Sequence, residues 1–229
     1  MSSRKNNRGN ESSRPVSANK PAANAPAKNS GRKSVWIVTA VAVAAVVVGV
    51  LIASGGGSQE VATLTADPAE AKYIGRYLPA GYVEPAVSEG GPVTADIPMA
   101  AIEAESSDTG LSISLSEVVS KRNVGFTYTK ADGTPVALIA FVKPSGKLSV
   151  AVSFCPPCRG ISHTMTTDGA MTCDACGTKR DAETGIGISG SCRLYPMDEL
   201  PVTVSGDEIT IDNAVLENWT EQPLDRQVG

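Results

Sequence analysis

The longest hydrophobic stretch of the chain covers residues 35–53, which carry no charge. As a helix these residues would be about 28 Å long, close to the hydrocarbon thickness of a bilayer. The stretch has no polar face of the kind that a helix of a soluble core presents, and Trp36 stands where an interfacial aromatic residue belongs. These features predict one transmembrane helix over residues 34–54.

The flanks of this stretch predict its orientation. Residues 1–33 contain eight Lys and Arg residues and one acid, Glu11, whereas glycine and serine follow the stretch. The positive-inside rule then places residues 1–33 in the cytoplasm and the C-terminal domain on the extracytoplasmic side. A cleaved signal peptide is the alternative, but its apolar region is usually only about 7–15 residues long. We therefore expect an uncleaved signal anchor that crosses the cell membrane once.

The basic leader is rich in Ser, Asn, Pro and Ala and has no hydrophobic periodicity. Such a composition buries too little apolar surface to fold alone, so we expect a disordered tail. Membrane topology already accounts for its charge, and we assign it no role in nucleic-acid binding.

Beyond the glycine-rich linker, the polar and apolar positions predict mostly β structure. Asp67 as a cap, Pro68 and the apolar spacing that follows predict a short helix over residues 67–78. Alternating patterns separated by turn residues predict strands, the middle three of which form an antiparallel meander and the last two a hairpin. These strands cover residues 111–118, 124–128, 135–142, 148–154, 200–204 and 208–211.

The fold class that these patterns predict is mainly β, with a small antiparallel β domain that carries a ribbon-like cysteine insertion for metal. The expected order is a tail, a transmembrane helix, a linker, a helix and loop-rich approach, and the β domain: residues 1–33, 34–54, 55–66, 67–109 and 110–229.

The candidate chemistry lies in five cysteines near the C-terminal end of the chain. They form two Cys-x-x-Cys pairs with 14 residues between them, followed by a single cysteine after a glycine-rich stretch: Cys155, Cys158, Cys173, Cys176 and Cys192. Two such pairs are typical of ribbons in which four thiolates surround one metal. Tetrahedral thiolate sites suit zinc, a single iron ion or an iron–sulfur cluster, and the spacing does not choose among them.

Other interpretations of the cysteines have to be weighed against a metal site. A disulfide framework suits an extracytoplasmic domain, but bridges within each pair would close very small loops. A thioredoxin-like dithiol at Cys155 and Cys158 needs a helix at the second cysteine, where β-branched and turn residues stand instead. Cys192 could be a ligand, an exchangeable extra ligand or a buried thiol. His163, the only histidine, is close enough in sequence to bind metal but is more often a bystander beside so many sulfurs.

The order of these elements resembles the FtrD-like membrane iron–sulfur proteins over about residues 110–215. The elements that carry the resemblance are Cys155-Pro-Pro-Cys158, Cys173-Asp-Ala-Cys176-Gly177, the glycine-rich residues 185–191 and Cys192. The resemblance implies an anchored, extracytoplasmic domain with an iron–sulfur or other metal centre, which in some members is associated with iron uptake through a high-affinity iron permease. It also implies that all five cysteines are metal-associated.

The function expected from these observations is a membrane-anchored metal-binding protein, an accessory or electron-transfer component of iron uptake, with an iron permease or another membrane redox protein as its partner. The alternatives are a zinc-ribbon-like docking module and a thiol–disulfide redox protein. A metal-binding or electron-transfer role is favoured over an enzyme, because the chain contains one histidine and no recognisable Ser/His/Asp set or phosphate-binding loop.

Overall fold

The computed structural model of the chain describes residues 64–225. None of the helices in this part is long and apolar enough to cross a membrane. The predicted tail, the predicted transmembrane helix and most of the predicted linker lie outside the described residues.

Short strands dominate the described part of the chain, and three short helices accompany them. The helices are α1 (Pro68–Ala71), α2 (Leu115–Lys121) and α3 (Asn213–Asn218). The strands are β1 (Ile97–Pro98), β2 (Ala100–Ala101), β3 (Glu105–Ser106), β4 (Gly110–Ser114), β5 (Asn123–Thr129), β6 (Pro135–Val142), β7 (Leu148–Val152), β8 (His163–Met165), β9 (Ala170–Cys173), β10 (Lys179–Asp181), β11 (Gly187–Ser189), β12 (Asp198–Glu199), β13 (Thr203–Ser205) and β14 (Glu208–Asp212). The prediction of a mainly β domain with antiparallel sheets is confirmed.

The central sheet has the strand order β12-β7-β6-β5-β2 and contains the predicted meander. All its pairings are antiparallel except that of β2 with β5. Strand β6 is almost wholly apolar because both of its faces are covered: Leu138 and Ala140 join one hydrophobic cluster, while Ile139 and Phe141 join another. A continuous apolar run is what a strand buried on both sides requires.

A second sheet covers one face of the central sheet. Its strand order is β13-β14-β4-β3, and it includes the predicted C-terminal hairpin. The inward-facing side chains Leu111 and Ile113 of β4 and Ile209 and Ile211 of β14 belong to the same hydrophobic cluster as Leu138. Burial of these aliphatic side chains at about 25 cal/mol per Å² stabilises the contact between the two sheets.

A third sheet covers the other face and carries the cysteines. Its strand order is β1-β8-β9-β10-β11. Met165 of β8 and Met171 of β9 are fully buried against Ile139, Phe141 and Ala151 of the central sheet. These methionines therefore fill the interface between two sheets, and the cysteine-bearing strands are attached to the domain through them.

Two sequence-based predictions of secondary structure, one over residues 111–118 and one over residues 67–78, were wrong in part. The strand predicted over residues 111–118 ends at Ser114, where α2 begins, because the Ser114 hydroxyl caps the helix by accepting from the Glu117 backbone N–H at 3.2 Å. The helix predicted over residues 67–78 is reduced to α1, because the chain after it forms turns such as the one closed by Tyr73 N–H to Glu70 O at 2.9 Å, and Gly75 in this stretch adopts a left-handed conformation with φ of 65°. Helix α3 was not predicted, although Asp212 caps it.

Candidate metal centre

The first Cys-x-x-Cys pair lies in a tight loop that follows β7. Cys155 receives a backbone hydrogen bond from Arg159 (N to O, 2.7 Å) and donates its own N–H to Gly160 O at 2.9 Å. Closing the loop requires Arg159 to adopt a positive φ of 57°, a conformation that costs a residue other than glycine about 1–2 kcal/mol. The loop thus brings the two thiols of the pair to one side of the backbone at a cost in backbone strain.

The second pair lies in a loop of the same construction between β9 and β10. Cys173 receives the Gly177 N–H at 2.8 Å and donates its own N–H to Thr178 O at 2.9 Å, and Gly177 has a φ of 70°. Each loop therefore repeats the same two hydrogen bonds and the same left-handed residue, four positions after its first cysteine. Paired loops of this kind are typical of ribbon metal sites, as the sequence predicted.

The two loops bring four sulfur atoms together. The Sγ atoms of Cys155, Cys158, Cys173 and Cys176 all lie within 4.8 Å of one another. The Cys158 and Cys173 sulfurs are 3.7 Å apart, and all five cysteines of the chain are free thiols. Metal–sulfur bonds of about 2.3 Å place the corners of a regular tetrahedron about 3.8 Å apart, so these four side chains could hold one metal ion with little movement.

Cys192 packs against this group without being part of it. Its sulfur lies 3.8 Å from that of Cys176, and its backbone N–H donates to Thr178 Oγ1 at 3.2 Å. Gly190 allows this approach, because a Cβ atom there would lie 2.5 Å from Thr178 Oγ1. The structure thus places the fifth cysteine predicted as metal-associated beside the four-sulfur group, next to one of its members.

Burial is uneven across the five thiols. Cys155, Cys173 and Cys192 are buried, whereas Cys158 and Cys176 are partly exposed. Together the five cysteines form a separate cluster that contains no other hydrophobic side chain. One edge of the group consequently reaches the protein surface while its interior is shielded from water.

Hydrogen bonds among the thiols shift their pKa values in opposite directions. The Cys155 thiol donates to Cys173 and lowers the pKa of Cys173, and His163 and the Ala175 backbone N–H lower the same pKa further against the effect of burial. The reciprocal interaction with Cys173, together with burial, raises the pKa of Cys155. Burial also raises the pKa of Cys158 to about 11. Of the four thiols, Cys173 is therefore the one that loses its proton most readily, and ligation by the others requires loss of their protons.

Two polar side chains with buried nitrogen atoms flank the sulfurs. His163 is opposite Cys173 in the β8–β9 ladder and is completely buried, but it lies outside the four-sulfur group. Arg180 of β10 is also buried, and its Nη2 lies 3.8 Å from Cys155 Sγ. The sequence carries no signal for Arg180, because nothing about a single arginine in a short strand indicates a sulfur neighbour.

The structure bears on the thioredoxin-like alternative as well. No helix starts at Cys158, since the chain turns back at Gly160 and enters β8 at His163. The Cys155 sulfur lies within 4.8 Å of the Cys173 sulfur as well as of the Cys158 sulfur, which suits a site shared by both pairs. The arrangement lacks the helix N-terminus that lowers the pKa of the attacking thiol in such redox proteins.

Crowding against the sulfurs leads to a prediction at Gly160. An alanine Cβ there would lie 2.8 Å from Cys173 Sγ and 3.3 Å from Cys158 Sγ. Overpacking of this kind costs about 1–3 kcal/mol, so we expect Gly160→Ala to weaken metal binding by about tenfold or more in a competition titration. Arg159→Ala is the matched control in the same loop, because its side chain is largely exposed and its ion pair with Glu221 contributes little. Equal affinities of the two variants would contradict the crowded geometry.

Comparison with known proteins points to one family. Residues 119–222 match the family model described as "Membrane iron-sulfur containing protein FtrD-like". No curated protein and no solved structure matches the chain. The matched segment begins within α2 and ends after α3, and it contains all five cysteines. The resemblance that the cysteine pattern indicated is thereby confirmed: residues 119–222 of this chain match the model of the FtrD-like membrane iron–sulfur proteins.

Proposed function

We propose that this chain is a membrane-anchored, single-electron carrier whose Cys155, Cys158, Cys173 and Cys176 hold one iron ion. The observation that carries the proposal is the meeting of these four sulfurs within 4.8 Å on two loops of identical construction. Iron held by four thiolates supplies a ferric–ferrous couple when bound. The four side chains provide the tetrahedral donor set, and the surrounding sheets hold them in place.

The spacing of the sulfurs supports a single ion over a cluster. A four-iron cluster places irons and sulfides between the cysteines and separates their sulfurs further than one ion does. The 3.7 Å between Cys158 and Cys173 matches the single-ion tetrahedron. A cluster would require the two loops to move apart.

The uneven burial of the cysteines supports electron transfer. Buried Cys155 and Cys173 exclude water from the interior of the site, and partly exposed Cys158 and Cys176 offer an edge to a redox partner. The family description names membrane proteins, and the predicted transmembrane helix would hold the domain near membrane partners. We infer that the partner is an iron permease or another membrane redox protein, and that the domain works on the extracytoplasmic side in iron uptake.

A structural zinc site is the second candidate. The observation in its favour is that the cysteine cluster contains no other hydrophobic side chain. A bound metal would therefore stabilise the cysteine-bearing loops in the way that a hydrophobic core stabilises the rest of the domain. Zinc has no redox couple, and the domain would then be a docking module.

The test is metal analysis of the full-length chain, purified in detergent without oxygen. We expect iron without acid-labile sulfide, and visible absorption bands that bleach on reduction and return on oxidation. Iron with stoichiometric sulfide would overturn the single-ion site but keep electron transfer. Zinc alone, from cells supplied with iron, would overturn electron transfer and favour the docking module.

A further inference from the structure

Three buried side-chain atoms in the described part of the chain have no hydrogen-bond partner: Asn123 Oδ1, His163 Nε2 and Arg180 Nη1. Two of these three belong to side chains that flank the cysteines. A buried donor left unpaired costs about 1–3 kcal/mol, and more when it is charged. Because two such atoms lie in side chains beside the cysteines, we expect a hydrogen-bond acceptor there, and thiolates that bind a metal would supply it.

The histidine is held with one nitrogen toward the sulfurs. Ser153 Oγ lies 3.1 Å from His163 Nδ1 and 2.8 Å from Ile161 O. When the hydroxyl donates to Nδ1, the neutral imidazole carries its proton on Nε2, which can then donate to a thiolate. The backbone carbonyl of His163 receives an N–H from Asn123 at 3.0 Å, which fixes the strand. With Nδ1 so engaged, Nε2 is the nitrogen left for an acceptor, and Cys173 stands opposite His163 in the β8–β9 ladder.

The arginine is held in the same way on the other side of the site. Arg180 Nε and Nη2 donate to Tyr195 O at 3.0 and 2.6 Å, and Nη2 also donates to Cys192 O at 3.2 Å. Nη2 lies 3.8 Å from Cys155 Sγ. The backbone carbonyls fix the guanidinium plane, so its position beside Cys155 is a property of the fold and does not depend on a flexible side chain.

The positive charge of Arg180 also favours its position beside the cysteines. A guanidinium that is only 1% exposed needs a negative partner, because burial of an unpaired charge is very costly. Glu70, equally buried, attracts it from α1 while holding the Gly187 N–H. Four thiolates around a divalent or trivalent ion carry net negative charge, and they would be the second partner of Arg180.

Resting on the proposed iron site, we propose that His163 and Arg180 are positioning residues that direct N–H groups at the thiolates of Cys173 and Cys155 and thereby stabilise the reduced, more negative state of the centre. Hydrogen bonds to ligand sulfurs and nearby positive charge both raise a reduction potential. The pair acts from two sides on the buried half of the site, whereas the exposed half remains free for a partner.

The test is a redox titration of the iron-loaded, full-length chain at constant pH. His163→Leu and Arg180→Met remove the donors with similar side-chain volume, and each is expected to lower the potential so that the reduced-to-oxidised ratio at a given solution potential falls about tenfold. His163→Gln and Arg180→Lys keep an N–H donor and should recover part of the loss. Lys121→Met removes an exposed cation on α2 and should leave the potential unchanged. Unchanged potentials in both Leu and Met variants would overturn the proposal.

Cobalt(II) binding gives a second readout that requires no redox activity. Loss of a hydrogen bond to a metal ligand typically weakens metal binding about 10–100-fold, and we expect this for His163→Leu and Arg180→Met. The cobalt absorption spectrum of the wild type reports four-thiolate ligation independently of both residues. Wild-type protein that binds cobalt through thiolates but fails to take up iron would therefore refute the proposed function alone, whereas full affinity in both variants would refute the role of the donors.

Discussion

Replacing Cys173 with serine is expected to abolish tight metal binding. Cys173 is the first cysteine of the second loop, its sulfur lies 3.7 Å from the Cys158 sulfur of the first loop, and it carries the lowered thiol pKa of the group. Serine keeps the size of the side chain but does not supply a thiolate. Because changes around a metal ligand already weaken binding about 10–100-fold, loss of a ligand should weaken it by more than about a hundredfold. Cobalt(II) titration, followed through the sulfur-to-metal absorption bands, measures the effect.

Cys192→Ser is the matched control for this experiment. Cys192 is buried beside Cys176 but does not belong to the four-sulfur group, so we expect a loss of less than about tenfold. The same substitution at two neighbouring cysteines separates a ligand from a packed thiol. If Cys192→Ser lost binding as completely as Cys173→Ser, the ligand set would include the fifth cysteine, as the sequence pattern also allowed.

Replacing Asp198 with alanine is expected to lower the free energy of unfolding by about 3–5 kcal/mol. The buried Asp198 carboxylate accepts hydrogen bonds from Arg76 Nε at 2.7 Å and Nη2 at 2.8 Å, from Trp219 Nε1 at 2.8 Å and from Gln222 Nε2 at 2.9 Å. Alanine would remove the carboxylate acceptor from all of these donors. It would leave Arg76 Nε and Trp219 Nε1 without another acceptor among the described residues, whereas Arg76 Nη2 and Gln222 Nε2 also reach the carbonyls of Thr220 and Pro196. The carboxylate joins the segment after α1 and the C-terminal segment to the edge of the central sheet, so the loss should affect the whole domain.

Urea denaturation followed by circular dichroism measures this effect. Glu89→Ala removes the same charge from an exposed position and should stay within about 0.5 kcal/mol of the wild type. Asp198→Asn keeps the shape and part of the acceptor capacity, and it should fall between the two. A loss below about 1 kcal/mol for Asp198→Ala would contradict the structural importance of the carboxylate, because water would then satisfy the donors equally well.

Much of the central meander could be predicted from the sequence, because the signals for its strands and turns lie within short segments. Strands β5, β6 and β7 alternate or run apolar over their full length, and turn residues with glycine separate them. Both signals arise within a few residues, from the pleat of a strand and from the left-handed conformation of Gly133 and Gly146. Pairing of neighbouring strands then follows from short connections.

The boundary between β4 and α2 shows where such local reasoning failed. Residues 111–116 alternate like a strand, yet Ser114 and Glu117 also have the spacing of a helix cap. The choice depends on Asp207 from the C-terminal hairpin, whose carboxylate receives the Ser116 N–H at 2.7 Å and the Ser114 hydroxyl at 3.0 Å. A contact across about ninety residues of sequence is invisible to a periodicity argument.

By itself the sequence determined the β class, the two cysteine pairs and the loops that hold them, because these depend on residue type and spacing within a short segment. Only the tertiary structure decided that four sulfurs form one group with Cys192 beside it, and that the buried side chains of His163 and Arg180 flank this group. Those relations depend on the register of β8, β9 and β10 and on the packing of their sheet against the central one. Register and packing are set by contacts among distant residues, which no single stretch of sequence contains.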